Sequence, residues 1–258
     1  MRAALYQFAV TGDVKENIAC IKKAVKEAVS EKADLIVFPE CALSGYPPRD
    51  IPFAKDCDFN LVSNDLEELK ELADKNGINI IVGSIVNDGN IYNRACFISP
   101  NKAIGFYDKR ALYGWDEENF TKGEKDGILE IAGLKIGVRI CFEVRFPEYF
   151  RELYKAGCDL DIVLFNDVSD TDDIDRYNLI KSHLITRAVE NVTPVLSVNT
   201  ITPFETAPTC YIDASGKVLF ECNRNKEEML VFDFEKKELN FGEIGRKRES
   251  DSLLGIKE

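Results

Sequence analysis

Short apolar runs alternate along the chain with stretches in which apolar residues recur every three or four positions. Ala3–Phe8 is a short apolar run and predicts a strand. Val14–Lys32 follows, with Ile18, Ile21, Val25 and Val29 at helical spacing. Asp34–Phe38 (DLIVF) predicts a buried strand that ends at Pro39-Glu40. Asn64–Asn76 predicts a second helix, capped by Ser63 or Asn64 and closed by Gly77. Ile78–Val86 and Ile91–Ile98 flank Asp88-Gly89, the signature of a hairpin. Ala103–Tyr107 and Ile128–Ile131 read as extended. Leu134–Cys141 (LKIGVRIC) predicts a strand, followed by a helix over Glu148–Ala156 and a strand over Asp161–Phe165. A long helix covers Arg176–Asn191. Strands at Pro194–Asn199, Thr209–Ile212, Val218–Glu221 and Met229–Phe234 complete the pattern.

Strands outnumber helices, and hairpins mix with strand–helix–strand units. The packing that suits this pattern is an α/β arrangement of mixed sheets with helices outside. No Gly/Ser/Pro linker divides the chain, so residues 1–258 are expected to form a single domain. Val168–Arg176 (VSDTDDIDR) reads as an acidic loop. The charged tail after Phe241 is expected on the surface or against a partner subunit.

Composition narrows the function classes. The net charge is −12 and the sequence pI about 4.8. Such a surface repels phosphate, which argues against nucleic acid and anionic membranes as partners. The N-terminal segment lacks the apolar stretch and cleavage site of a signal peptide, and a cytoplasmic location is the expectation. The eight cysteines contain no CxxC pair and are expected to be free thiols. No Cys/His cluster has metal-ligand spacing, so no metal is expected.

His183 is the sole histidine and falls within a helical pattern. Nothing around it supports a Ser-His or Cys-His pair, and it reads as a structural or surface residue. A hydrolase built on this chain must therefore take its base from a carboxylate or a lysine. Cys141 ends an apolar strand just before a helix start, where free backbone N–H groups favour a thiolate and an oxyanion. Glu40 directly follows DLIVF, and burying it there without a partner is costly. Lys109 follows the extended segment IGFYD. Each residue alone also fits an ordinary role: a buried thiol, a solvated strand end, a surface lysine.

Glu40, Lys109 and Cys141 in that order, with the text around them, resemble the nitrilase superfamily of carbon–nitrogen hydrolases. The matching segments are Leu35–Leu43 (LIVFPECAL) with Ser44-Gly45-Tyr46, and Val82-Gly83-Ser84 with Tyr92-Asn93. They continue through Tyr107–Lys109 (YDK), Trp115–Gly123 (WDEENFTKG), Gly137–Glu148 (GVRICFEVRFPE), Arg187–Asn191 (RAVEN) and Asp213–Val218 (DASGKV). The resemblance implies a four-layer α-β-β-α sandwich and a Glu-Lys-Cys triad of Glu40, Lys109 and Cys141. It implies a second glutamate supporting the lysine, which maps onto Glu117. That segment is about one residue shorter than usual, so Glu118 or Asp116 is the alternative.

The chemistry implied is cysteine-dependent cleavage of a small amide through a thioester, with Lys109 and the Phe142 backbone N–H stabilising the oxyanion and no metal or organic cofactor needed. Arg145 follows in a segment similar to that of amidases acting on ω-amides of dicarboxylic acids. It is a candidate for holding a substrate carboxylate, or else pairs with Glu143 or Glu148. The acidic loop suggests the opposite substrate, a cationic N-carbamoyl amine of polyamine type. Nitrile hydrolysis and a non-catalytic binding module are further alternatives. The resemblance also implies a homodimer or larger homo-oligomer.

Overall fold

The computed structural model describes residues 1–256. The first half of the chain runs β1 (Arg2–Gln7), α1 (Val14–Ser30), β2 (Leu35–Val37), α2 (Phe59–Asn76), β3 (Asn79–Asn87), β4 (Ile91–Ile98), β5 (Gly105–Asp108) and α3 (Trp115–Asn119). The second half runs β6 (Ile128–Ile131), β7 (Leu134–Ile140), a 3-10 turn at Cys141–Arg145, α4 (Pro147–Ala156), β8 (Leu160–Leu164), β9 (Val168–Ser169) and α5 (Ile174–Asn191). It closes with β10 (Val195–Val198), β11 (Phe204–Glu205), β12 (Cys210–Ile212), β13 (Val218–Glu221), β14 (Glu228–Asp233) and α6 (Phe241–Leu254). Among these residues the strands form two six-stranded sheets, ordered β14-β1-β2-β3-β4-β5 and β13-β12-β10-β8-β7-β6. A ribbon of β9 with β11 stands apart.

The period-2 alternation of the strands creates four layers. Ala3 and Leu5 of β1, Val37 of β2 and Ile81 of β3 share one apolar cluster with Ile136, Val138, Ile162, Leu164 and Leu196 of the other sheet. The alternate residues Ala4, Tyr6 and Ile36 face outward, against Ile18, Ile21, Val25 and Leu69 of α1 and α2. On the far side Val163, Val195, Cys210 and Ile212 meet Phe150 of α4 and Ile180 and Leu184 of α5. The result is the α-β-β-α sandwich that the family resemblance implied.

Several local expectations are corrected. α2 starts at Phe59, and its cap is Asp58, whose carboxylate accepts the Leu61 N–H at 3.0 Å. The early start comes from Val62 and Leu66, which bury the first turns against the first sheet. Phe241–Leu254 lies largely on the surface, as expected, and forms a helix opened by a reciprocal cap between Asn240 and Glu243. It lies on its own chain's α4 and α5, where Arg246 Nε donates to the Val189 carbonyl at 3.1 Å and Tyr154 Oη to Asp251 at 2.5 Å. The acidic loop begins with the β9 ribbon strand, paired antiparallel with β11. None of the eight cysteines is in a disulfide among the described residues.

Candidate active site

Four strand ends meet at one seam between the sheets. β2 and β5 of the first sheet deliver Glu40 and Lys109; β7 and β8 of the second deliver Cys141 and Asn166. Gly83 permits the approach on the first side, since a Cβ there would lie 2.4–2.7 Å from Pro39 O, Cys41 N and the Glu40 Cα. The Glu40 backbone N–H then reaches across to Phe165 O at 3.2 Å, locking the two sheets together beside the site.

Glu40 and Lys109 are both buried, and Lys109 Nζ lies 2.8 Å from Glu40 Oε1. Asn93 Nδ2 donates to the same oxygen at 2.7 Å, and the Asn166 N–H donates to Oε2 at 2.8 Å. An ionised carboxylate offers about four acceptor positions. Three are filled, and one on Oε2 remains open. Burial raises the Glu40 pKa, outweighing the opposing pull of Lys109 and Asn93. Burial alone would pull Lys109 down, but Glu40, Asp116 and Cys141 together hold it well up, so it stays cationic. The Cys141 thiol is pushed well up by burial and by Glu40, with Lys109 opposing, so at rest it is a neutral thiol.

Cys141 opens the 3-10 turn after β7 with φ of +46°, a left-handed backbone that non-glycine residues adopt at a cost. Phe142 lies in the first turn of that element, where backbone N–H groups find no partner within the helix. The charges acting on Cys141 come from Glu40, Lys109, Asp167 and Asp116, so the three residues singled out in the sequence share one electrostatic site.

The acid assigned to support the lysine requires correction. Glu117 is exposed and makes no ion pair among the described residues. Asp116 is buried instead, with Oδ2 2.8 Å from Lys109 Nζ and Oδ1 accepting the Tyr46 hydroxyl at 2.7 Å. The cause is the short helix α3, entered through Gly114 at φ 58° and ψ −120°, which turns only its second residue inward.

Arg145 is half-buried, with its guanidinium 5.8 Å from the Phe142 ring centroid. Neither Glu143 nor Glu148 pairs with it, and it has no ion-pair partner among the described residues. His183 is half-buried on α5, its pKa lowered by burial and by Arg145 and Arg187. Most acids of the loop are already engaged. Asp167 pairs with Arg176 at 2.8 Å and accepts Thr206 Oγ1, Asp170 pairs with Arg49 at 3.1 Å, Asp172 with Arg224, and Asp173 caps α5. Asn93, Asp116, Tyr46 and Glu143 were not singled out from the sequence as a connected set. Asn93 within β4 and Glu143 just after β7 carried the available signal, a polar side chain in or beside an apolar strand.

The sequence profile of the carbon–nitrogen hydrolases matches residues 2–240. The chain belongs to the carbon–nitrogen hydrolase family. Among relatives of this hydrolase, the 2-oxoglutaramate amidase of Bacillus subtilis is 32% identical over 251 residues, covering 93% of this chain and 90% of that protein. The glutamine-dependent NAD(+) synthetase of Aquifex aeolicus is 28% identical over 250 residues, or 92% of this chain. The chain spans only 42% of that relative's length. An amidase from Nesterenkonia sp. superposes with a TM-score of 0.82 at 23% identity, covering 99% of this chain and 95% of its own, and thereby shows the fold.

Proposed function

We propose that this carbon–nitrogen hydrolase cleaves the C–N bond of a small amide through a thioester on Cys141. The observation that carries the reading is the buried Glu40–Lys109–Asp116 cluster acting on the Cys141 thiol. Placing a lysine and two carboxylates out of water costs several kcal/mol per ion before pairing. A binding module has no evident use for that arrangement around a thiol; an acyl-transfer site does.

The burial and pairing of Glu40 and Lys109 support the following roles. The open acceptor position on Glu40 Oε2 takes the Cys141 proton as sulfur attacks the amide carbon. Lys109 and the Phe142 N–H carry the oxyanion charge. Collapse breaks the C–N bond, Glu40 protonates the leaving nitrogen, and an acyl thioester remains. Glu40 then takes a proton from water, the hydroxide adds to the thioester carbon, and the C–S bond breaks. The acid departs, and the proton returns to the thiolate.

The substrate class favoured is an ω-amide bearing a carboxylate at its far end. Arg145 has no protein carboxylate as partner, while the loop acids that suggested a cationic amine are mostly held by arginines. The relatives named above refer to 2-oxoglutaramate and to glutamine, both of which carry an ω-carboxamide. Ammonia release from a panel of ω-amides, N-carbamoyl amines and nitriles tests the reading. An ω-amide is expected to be the best substrate, and Arg145→Ala is expected to weaken its use by about tenfold or more. A cationic carbamoyl amine as the best substrate would replace it.

A further inference from the structure

Glu143 lies two residues after the nucleophile, and its side chain is fully buried. Its Oε1 accepts the Tyr107 hydroxyl at 2.7 Å, the Arg110 N–H at 2.7 Å and the Ala111 N–H at 3.2 Å. Its Oε2 accepts the Ile140 N–H at 2.7 Å. Ile140 immediately precedes Cys141, and Arg110 immediately follows Lys109. One carboxylate therefore joins the peptide beside the nucleophile, on the second sheet, to the peptide beside the lysine, on the first.

Its Oε1 already meets three donors and its Oε2 a fourth, so most of its about four acceptor positions are taken by the protein itself. Three of the four are backbone N–H groups, whose placement fixes the chain rather than a rotatable side chain. The clamp also holds a turn that begins with the left-handed Cys141 and would otherwise relax. We propose that Glu143 is a positioning residue that sets the register between the Cys141 sulfur and the Lys109 ammonium. Its effect on turnover rests on the amide-hydrolase reading above; its effect on the thiol does not. A neutral glutamine offers one oxygen instead of two and turns an NH2 group toward N–H donors. A small misplacement of either reacting group is enough to slow chemistry by about 10- to 100-fold.

The test compares wild type, Glu143→Gln and Glu143→Asp by three readouts: thermal midpoint, steady-state kinetics on the best ω-amide, and the rate of Cys141 alkylation by iodoacetamide followed by peptide mass spectrometry. Glu143→Gln is expected to alkylate at Cys141 about tenfold more slowly at the same pH, because Lys109 no longer stabilises the thiolate as well. Its kcat should fall by about 10- to 100-fold with KM changed by less than about threefold. Glu143→Asp, which keeps the charge but loses reach, should fall between the two. A lowered thermal midpoint with alkylation and kcat of the folded protein within about twofold of wild type would make Glu143 merely structural and overturn the proposal. If the glutamine variant does not fold, a folded Glu143→Asp indistinguishable from wild type overturns it equally. A wild type that alkylates at Cys141 yet hydrolyses no amide would reject the hydrolase reading, and the alkylation comparison would still decide the clamp.

Discussion

At the scale of single residues, the site is a chain of paired charges centred on Lys109. Asp116 and Glu40 flank Lys109 at 2.8 Å each and keep it cationic against the cost of burial. Removing one flank is informative. Asp116→Asn is expected to lower kcat by about 10- to 100-fold, since an oxyanion stabiliser that has lost its counter-charge is weakened. Glu117→Gln should leave kcat within about twofold, because its carboxylate lies in solvent. Steady-state kinetics of the two variants check this, and the reverse ranking would restore Glu117 to the site. Strand-end position made Glu40, Lys109 and Cys141 candidates, but each alone also fitted an ordinary role; they were legible as a set through the resemblance of their surrounding segments to the nitrilase superfamily. The identity of the lysine's acid was not legible. Three consecutive acids stand at Asp116, Glu117 and Glu118, and only the backbone turn at Gly114 decides which one faces inward. The role of Glu143 was invisible for a related reason: three of its four donors come from a segment 32 to 36 residues away, which no local pattern reveals.

At the scale of elements, the periodicities located most strands and the main helices, and long-range packing decided the rest. The start of α2 shifted because Asp58 caps it and Val62 and Leu66 find the core. β9 and β11 escaped notice because two-residue strands carry no period. β8 holds a less expected feature. Leu160, Ile162 and Leu164 face the other sheet, which turns Asp161 toward the helix layer with neither carboxylate oxygen hydrogen-bonded. Burial pushes its pKa from 3.8 to about 8, with Arg139 opposing. The folded protein thus holds a proton that the unfolded chain releases near pH 4. The stability linked to this group is fully present below pH 3.8 and is lost as pH rises through about 8. The slope is about 1.4 kcal/mol per pH unit inside that window. Asp161→Asn should abolish this component, so urea unfolding at pH 5 and pH 8 should show the variant gaining stability over wild type as pH rises. Equal slopes for the two proteins would mean that Asp161 titrates normally.

At the scale of the whole molecule, two sheets that each carry half of the site must be held face to face, and the apolar cluster between them does this along the full length of β1, β2, β7 and β8. Mixed sheets with helices outside were legible in the alternation of strand and helix patterns; the four-layer order was implied by the family resemblance. Assembly beyond the chain was expected from resemblance alone. We propose a homodimer that uses the α6 side of the sandwich, where Phe241 and Ile244 are 95% and 54% exposed. Sedimentation should give twice the chain mass of 29.1 kDa; a monomer at working concentration would reject it. The central claim is narrower: Cys141 becomes acylated during amide hydrolysis. Peptide mass spectrometry of protein quenched during turnover of an ω-amide tests it directly. The account predicts an acyl mass on the Cys141 peptide alone, absent from Cys141→Ala, which should release no ammonia. An acyl mass on another cysteine, or ammonia release undiminished in Cys141→Ala, would contradict it.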